Sequence, residues 1–195
     1  MKLQLFAAAL AATSLLATLP PAAAHGPTRQ KISEKIEINA PPEKVWAVVS
    51  NFQDGGWIPV VAKTEGTGGN APGAKRTLTL KNGATVEEEV AKFEPEKMTL
   101  MYRIDKVDVA VLPVTNYSSW LIVTPTADGK KSEVEWRGAF YRGYPNNDPP
   151  PELNDEAAVN AVTGLYKAGL ESLKKQIEGG SFTGLLTTDH FNQRH

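Results

Sequence analysis

The chain has 195 residues, with 21 basic and 22 acidic side chains and no cysteine. This balance argues against general binding to nucleic-acid phosphates or to anionic membranes, since both need a basic surface. The lack of cysteine excludes disulfides, thiolate metal sites and cysteine nucleophiles, so the core alone must hold the fold together.

Residues 1–24 have the layout of a cleavable secretion signal. Lys2 precedes a run rich in alanine and leucine over residues 3–19, and three alanines at 22–24 offer a small-residue cleavage site. The apolar run is short for a membrane span. We therefore predict a periplasmic protein with no membrane association after cleavage, divided into a domain over residues 25–180 and a polar tail over 181–195.

The first elements of the predicted domain are a strand and short helices. Residues 31–39 alternate isoleucines with charged side chains, which predicts a strand. Pro41 and Pro42 end it and can open a helix over residues 43–50. A second, broken helical turn over residues 52–61 leads into a short strand. The predicted buried part of the first helix comprises Val45, Trp46, Val48 and Val49.

The middle of the chain has the pattern of an antiparallel meander. Turn signals such as Asn82-Gly83 and Asp128-Gly129 separate successive alternating segments. The five predicted strands cover residues 74–80, 84–93, 98–107, 115–124 and 132–141.

The last predicted element is a long amphipathic helix over residues 155–178, capped by Asp155 and ended by Gly179-Gly180. A sheet followed by one such helix buries both apolar faces only by curling around it. We therefore predict an α+β helix-grip fold, with about six or seven curved antiparallel strands around the helix and two short helices after the first strand. The predicted inner face comprises Ala158, Val162, Leu165, Tyr166, Gly169, Leu173 and Ile177.

Three stretches carry a family resemblance: Glu34-Lys-Ile-Glu-Ile-Asn-Ala-Pro-Pro-Glu-Lys-Val-Trp46 with Phe52, Val90-Ala-Lys-Phe-Glu-Pro95, and Leu100-Met-Tyr102. Together with the last helix, they resemble the START and Bet v 1-like (SRPBCC) superfamily, which includes the polyketide cyclases. The resemblance covers residues 31–178 and implies the helix-grip fold. It leaves the activity open, because one scaffold hosts many functions.

A narrower resemblance concerns the predicted mature start, His25-Gly26-Pro27-Thr28, and the stretch Ile36-Glu-Ile-Asn-Ala-Pro-Pro42. Both are similar to the MxaD-type accessory proteins of methanol-oxidising bacteria. This resemblance implies a non-catalytic periplasmic protein that assists methanol dehydrogenase to interact with its cytochrome c acceptor. The candidate partner surfaces are the proline-rich loop over residues 143–153 and the tail.

Arg76 and Glu88 form the first candidate site. A three-residue turn over residues 81–83 pairs Leu78 with Val86 and Arg76 with Glu88, which keeps the apolar face coherent. A two-residue turn would place a glutamate opposite Leu78. We therefore predict an Arg76–Glu88 pair on the concave face, either anchoring a small ligand or supplying a carboxylate for acid–base chemistry. The alternative is a structural ion pair at the edge of the sheet.

Aromatic side chains form the second candidate site. They could line an apolar cavity under the long helix, where Gly138 and Gly169 would add room, or they could be ordinary core. The candidates for the cavity wall are Trp57, Tyr102, Trp120, Trp136, Phe140 and Tyr166, and all of these except Trp57 join Arg76 and Glu88 as predicted ligand-binding residues.

The sequence predicts no metal site, no cofactor and no catalytic residue. The three histidines, His25, His190 and His195, lie at or near the ends of the predicted mature chain, and no Ser-His-Asp set or phosphate-binding loop is present. Three hypotheses remain open: an accessory protein with a protein partner, a binder of a small apolar molecule or lipid, and a cyclase-like or aromatase-like enzyme that relies on Glu88 or Tyr102.

Overall fold

The computed structural model describes residues 26–179. The predicted secretion signal, His25, the helix stop at Gly180, the polar tail, His190 and His195 lie outside the described residues.

Within that range the chain forms seven strands, two α-helices and two short 3₁₀ turns. The strands are β1 (Gln30–Ile38), β2 (Val61–Thr67), β3 (Lys75–Leu80), β4 (Thr85–Glu94), β5 (Thr99–Val107), β6 (Val114–Pro125) and β7 (Ser132–Arg142). The helices are α1 (Pro42–Val49) and α2 (Asp155–Gly179), and the 3₁₀ turns cover Pro95–Lys97 and Pro151–Leu153. Neither α1 nor α2 is long and apolar enough to cross a membrane.

The seven strands form one antiparallel sheet in the order β1-β7-β6-β5-β4-β3-β2. The first strand therefore pairs with the last one, while the strands from β2 to β7 follow each other as a meander. The sheet is curved, and α2 packs mainly against β1 and β7. This arrangement confirms the predicted α+β helix-grip fold.

A single α-helix follows β1, where the sequence predicted two. Pro42 occupies its first turn, where the missing N–H leaves no hydrogen bond unmade. Residues 51–60 form turns instead of a second helix. The Gly56 N–H donates to Asp54 Oδ1 at 2.8 Å, and this local bond competes with helical backbone bonding. Val45 and Val49 are buried as predicted, whereas Trp46 and Val48 are only half-buried.

The cap of α2 is Asn154, one residue before the predicted cap. Asn154 has an extended backbone, with ψ at 178°, and its Oδ1 accepts the Ala157 N–H at 2.8 Å. Asp155 is the first helical residue, and its Oδ2 accepts a hydrogen bond from Arg142 Nη1 at 3.1 Å. The prediction that Asp155 caps the helix was wrong because its carboxylate binds Arg142.

The inner face of α2 is close to the predicted one. Leu165 is half-buried instead of buried, and Leu170 is an additional core residue. The buried residues of the helix are Ala158, Val162, Tyr166, Gly169, Leu170, Leu173 and Ile177.

Two glycines let α2 approach β7 closely, and neither leaves empty space. A Cβ at Gly169 would lie 2.5 Å from the Trp136 ring, and one at Gly138 would collide with the Tyr166 hydroxyl. The prediction that Gly138 and Gly169 add room to a cavity was wrong, because the two aromatic side chains fill that room.

We expect Gly169→Ala to destabilise the fold by about 1–3 kcal/mol, since the new Cβ would push on the buried Trp136 ring and disturb its stack on Tyr166. Gly164→Ala is the matched control on the same helix: a Cβ there meets nothing within 4 Å, so it should stabilise the protein by up to about 1 kcal/mol. Urea denaturation followed by circular dichroism measures both changes. Equal effects of the two substitutions would contradict the close approach at Gly169.

Candidate ligand-binding site

A cavity of about 490 Å³ lies between α2 and the concave face of the sheet. Its walls are mainly aliphatic and aromatic. Strands β3 to β7 contribute Leu78, Leu80, Val86, Glu88, Tyr102, Ile104, Tyr117 and Trp136. Strand β2 contributes Val61, and helix α2 contributes Ala161, Gly164, Leu165 and Ala168. The connecting segments contribute Ile58, Pro59, Val60, Lys81, Asn82, Val111 and Leu112.

The rim of the cavity is formed by exposed residues of three segments. Val60 is 45% exposed, and Lys81 and Asn82 of the β3–β4 turn are exposed beside it. Gly164 and Ala168 of α2 are the exposed residues on the other side. On the helix side, Gly164 and Ala168 carry no side chain large enough to cover the opening, so the cavity is accessible from solvent.

The predicted register of β3 and β4 is confirmed. Arg76 lies opposite Glu88 and Leu78 opposite Val86. The turn that connects the strands has Gly83 at φ +86°, a left-handed conformation that favours glycine. The three-residue turn therefore places both charged side chains on the face that holds the core.

Arg76 and Glu88 form a buried ion pair. Arg76 Nε donates to Glu88 Oε2 at 2.6 Å, and Arg76 Nη1 donates to the Phe52 carbonyl at 2.9 Å. The two side chains are only 4% and 5% exposed, and β2 separates β3 from the edge of the sheet. The pair is therefore not the edge ion pair that the sequence left as an alternative.

Two aromatic rings lie close to the Arg76 guanidinium. Its Cζ lies 4.2 Å from the centre of the Phe52 ring and 5.5 Å from that of Tyr102. Such cation–π contacts suit the planar, weakly hydrated guanidinium. Arg76 consequently lies behind the cavity wall, while Glu88 belongs to the wall itself.

The environment of Glu88 favours its neutral form more than water does. Burial raises the pKa of this carboxyl, and the charge and hydrogen bond of Arg76 oppose the rise. Removing Arg76 would leave a buried carboxyl without its counter-ion, which is strongly unfavourable for the ionised form.

A hydroxyl network joins α2 to the sheet. The Tyr117 and Tyr166 hydroxyls lie 2.6 Å apart, and Ser119 Oγ lies 3.1 Å from Tyr166 Oη. Trp136 Nε1 donates to Ser119 Oγ at 2.8 Å and to Tyr102 Oη at 3.1 Å. Four buried side chains around Tyr166 therefore share hydrogen bonds within an otherwise apolar region.

The tyrosine hydroxyls of this network stay protonated in the physiological range. Burial raises the pKa of Tyr102 to about 12. Burial also raises the pKa values of Tyr117 and Tyr166 well above the ordinary value for tyrosine. These phenols can donate hydrogen bonds but are poorly suited to act as bases.

The structure brings together most of the predicted site residues. Glu88, Tyr102 and Trp136 line the cavity, and Arg76, Phe140 and Tyr166 are buried behind its wall. Trp57 is buried too and packs edge-on against Trp136, with ring centres 5.1 Å apart.

Trp120 does not belong to the site. Its neighbours Ser119 and Leu121 face the core, so alternation along β6 turns Trp120 to the outer face. There it lies opposite Arg137 of β7, whose guanidinium is 5.5 Å from the ring centre. The prediction that Trp120 lines the cavity was wrong for this reason.

Tyr117, Ser119, Val111 and Leu112 were not predicted as site residues. The register of β6 and β7 shifts between Thr115 and Ser118, and Asn116 has a positive φ of 47°. This bulge interrupts simple alternation just before Tyr117. Val111 and Leu112 belong to the β5–β6 connection, and the apolar character of that loop was the available signal.

Among residues 26–179, no group of three or more histidine, aspartate or glutamate side chains lies close enough together to hold a metal ion. The polar groups of the inner wall are the carboxyl of Glu88, the phenols of Tyr102 and Tyr117 and the indole of Trp136, while Lys81 and Asn82 lie at the rim. These groups suit hydrogen bonding to a small molecule.

Comparison with solved structures finds the same fold in proteins of different origin. Protein XoxI from Bacillus cereus is 28% identical, with a TM-score of 0.65, and the match covers 77% of this chain and 97% of that one. A protein from Nitrosospira multiformis is 24% identical, with a TM-score of 0.63 and coverages of 78% and 99%. Norcoclaurine synthase from Thalictrum flavum, in complex with dopamine and hydroxybenzaldehyde, is 17% identical, with a TM-score of 0.61 and coverages of 79% and 89%. The sequences of the last two proteins differ so much from this one that the comparison shows only a shared fold.

A comparison with curated proteins found no match. The family described as "Polyketide cyclase / dehydrase and lipid transport" matches residues 29–178, which is most of the chain and includes every strand and nearly all of α2. The fold and this match agree, and the chain belongs to the polyketide cyclase / dehydrase and lipid transport family, a Bet v 1-like branch of helix-grip proteins.

Proposed function

We propose that the protein binds one small, mainly apolar molecule in the cavity between α2 and the sheet. The observation that carries this proposal is the hollow of about 490 Å³ beside an otherwise well-filled core. This volume lies within the range of about 300–1,000 Å³ found for small-molecule sites. The hollow leaves apolar side chains in contact with water, and a mainly apolar ligand that covers them gains free energy by doing so, which favours a binding role.

The chemistry of the wall supports an apolar ligand with few polar groups. Most lining residues are aliphatic or aromatic, while Glu88 and Tyr102 bring polar atoms to the inner wall and Lys81 brings one to the rim. The family description includes lipid transport, and norcoclaurine synthase holds two aromatic compounds on the same fold. Both support a hydrocarbon or aromatic body for the ligand of this chain.

A cyclase-like reaction receives less support from the same geometry. Glu88 would have to transfer protons, but one of its oxygens is held by Arg76 at 2.6 Å. Tyr102, with its pKa at about 12, is a weak candidate for the base. Binding without chemistry is therefore the function that we propose for the cavity.

We expect Ala161→Phe to weaken ligand binding at least tenfold, since the added ring would occupy the hollow that Ala161 lines. The neutral dye N-phenyl-1-naphthylamine serves as the ligand, and the rise in its fluorescence measures binding. Asn160→Phe is the matched control, because Asn160 is exposed and does not line the cavity. Equal affinities of the two variants, or no saturable binding by the wild type, would contradict the proposal.

A second candidate function is the accessory role in methanol oxidation, carried out in the periplasm after removal of the secretion signal. The resemblance to MxaD-type proteins supports it, although Ile38 is a core residue and Pro42 opens α1, so these positions also serve the fold. The partners would be methanol dehydrogenase and cytochrome c.

The loop over residues 143–153 is the described surface that best suits such a partner. Arg142 Nε donates to the Tyr144 carbonyl at 2.9 Å, and Arg142 Nη2 donates to the Asn146 carbonyl at 2.8 Å. These bonds and the prolines fix the loop, while residues 145–148 are exposed. A fixed, exposed loop loses little conformational entropy when a partner binds.

For the accessory role, we expect purified protein to increase the rate at which methanol dehydrogenase reduces its cytochrome c. Added salt should diminish the gain if charged residues guide the encounter. The Ala161→Phe variant blocks the cavity but leaves loop 143–153 intact, so it should act like the wild type if this loop binds the partner. An unchanged reduction rate with wild-type protein would refute the accessory role and leave the cavity proposal untouched.

A further inference from the structure

The mouth of the cavity carries a cation. Among the described residues that line the cavity, only Lys81 and Glu88 have charged side chains, and Glu88 belongs to the inner wall. Lys81 is exposed in the β3–β4 turn. Its ammonium group has no ion pair and no side-chain hydrogen bond with any of residues 26–179. The charge of Lys81 is therefore available to a molecule that occupies the mouth.

Asn82 adds a second hydrogen-bond donor beside Lys81. Its Oδ1 accepts the Ala84 N–H at 3.0 Å, so the NH₂ group of the same amide is left for other partners. Asn82 also lines the cavity. The backbone N–H of Lys81 donates to the Val60 carbonyl at 2.9 Å, which holds the turn in place. A charged and a neutral donor thus lie next to each other on a fixed turn.

The cation and the carboxyl of the cavity lie far apart. Glu88 is opposite Arg76, and Lys81 follows Arg76 along β3 and into the turn. At a rise of about 3.3 Å per residue, the positions of Arg76 and Lys81 are about 16 Å apart. Leu78 and Leu80 line the cavity between them. The cavity therefore has a positive mouth, an apolar middle and a carboxyl on its inner wall.

We infer that the ligand is an amphiphilic anion, an apolar chain or ring with one terminal, singly charged group such as a carboxylate. The inference rests on the proposed binding function and adds the head group to it. At the mouth, the head group accepts hydrogen bonds from Lys81 and Asn82 and stays in contact with water. The opposite orientation would bury the negative charge near the carboxyl of Glu88, which is unfavourable.

Three probes with an unbranched chain of similar length test the inference: decanoate, decanol and decyltrimethylammonium. At pH 7 their head groups are negative, neutral and positive. Each probe is titrated, below its micelle concentration, into protein that holds the neutral dye N-phenyl-1-naphthylamine, and the loss of dye fluorescence measures its affinity for the cavity. The affinity of decanoate divided by that of decanol isolates the effect of the negative charge.

We expect Lys81→Gln to lower this ratio by about 2- to 5-fold, the usual effect of an exposed charge pair, and to leave the affinity for decanol unchanged. Lys81→Glu reverses the charge at the same place, so it should lower the ratio further and strengthen the binding of decyltrimethylammonium. Lys130→Gln is the matched control, because Lys130 is an exposed turn lysine that does not line the cavity. It changes the net charge equally and should leave the ratio as in the wild type.

The inference and the proposed function can fail separately. A ratio that is the same in the wild type, Lys81→Gln and Lys81→Glu would overturn the inference and leave the cavity as a binding site. Dye that binds but is not displaced by decanoate would do the same. Wild-type protein that does not bind the dye at all would overturn both.

Discussion

The position of α2 depends on the contact between Tyr166 and Trp136, whose rings stack with centres 4.4 Å apart. Gly138 and Gly169 make this distance possible, because a side chain at either position would collide with one of the two aromatic residues. On its other flank, α2 turns only Ala161, Gly164, Leu165 and Ala168 toward β3, β4 and β5. Large rings therefore fill the space under β7, while small side chains leave the space over β3 to β5 open. The cavity is a consequence of this asymmetry.

The buried Arg76–Glu88 pair lies on β3 and β4, the part of the sheet where the cavity is open. Buried ion pairs are weak evidence for stability, since apolar residues of similar volume often serve a core equally well. Here the guanidinium lies against the Phe52 ring, close to the Tyr102 ring, and donates to the Phe52 carbonyl, so Arg76 has a fixed place behind the wall. What the pair adds to the cavity is the Glu88 side chain, a polar group that Arg76 holds in place on a mainly apolar wall. An aliphatic replacement could not provide this.

The parts of the structure that the sequence predicted correctly are those set by regular alternation of apolar and polar residues and by the residue types found in turns. Alternation in β3 and β4, with Gly83 in the turn, was enough to pair Arg76 with Glu88. Trp120 was wrongly assigned to the cavity because an indole suits either face of a sheet, and Tyr117 was missed because a bulge precedes it. The role of Gly169 was misjudged, since the ring opposite it belongs to a distant strand. The volume of a cavity depends on contacts among several elements, which no local pattern contains.

The two proposed functions involve two surfaces, the cavity and loop 143–153. Both contact α2, but at different parts of the helix. The Arg142–Asp155 bond ties loop 143–153 to the first turn of α2, whereas the cavity lies beside residues 161–168. A ligand that fits the existing hollow leaves the Trp136–Tyr166 stack intact, so α2 has no reason to shift and the loop keeps its shape. We therefore expect the proposed ligand binding and the proposed partner binding to be separable, so that a substitution can abolish either one without the other.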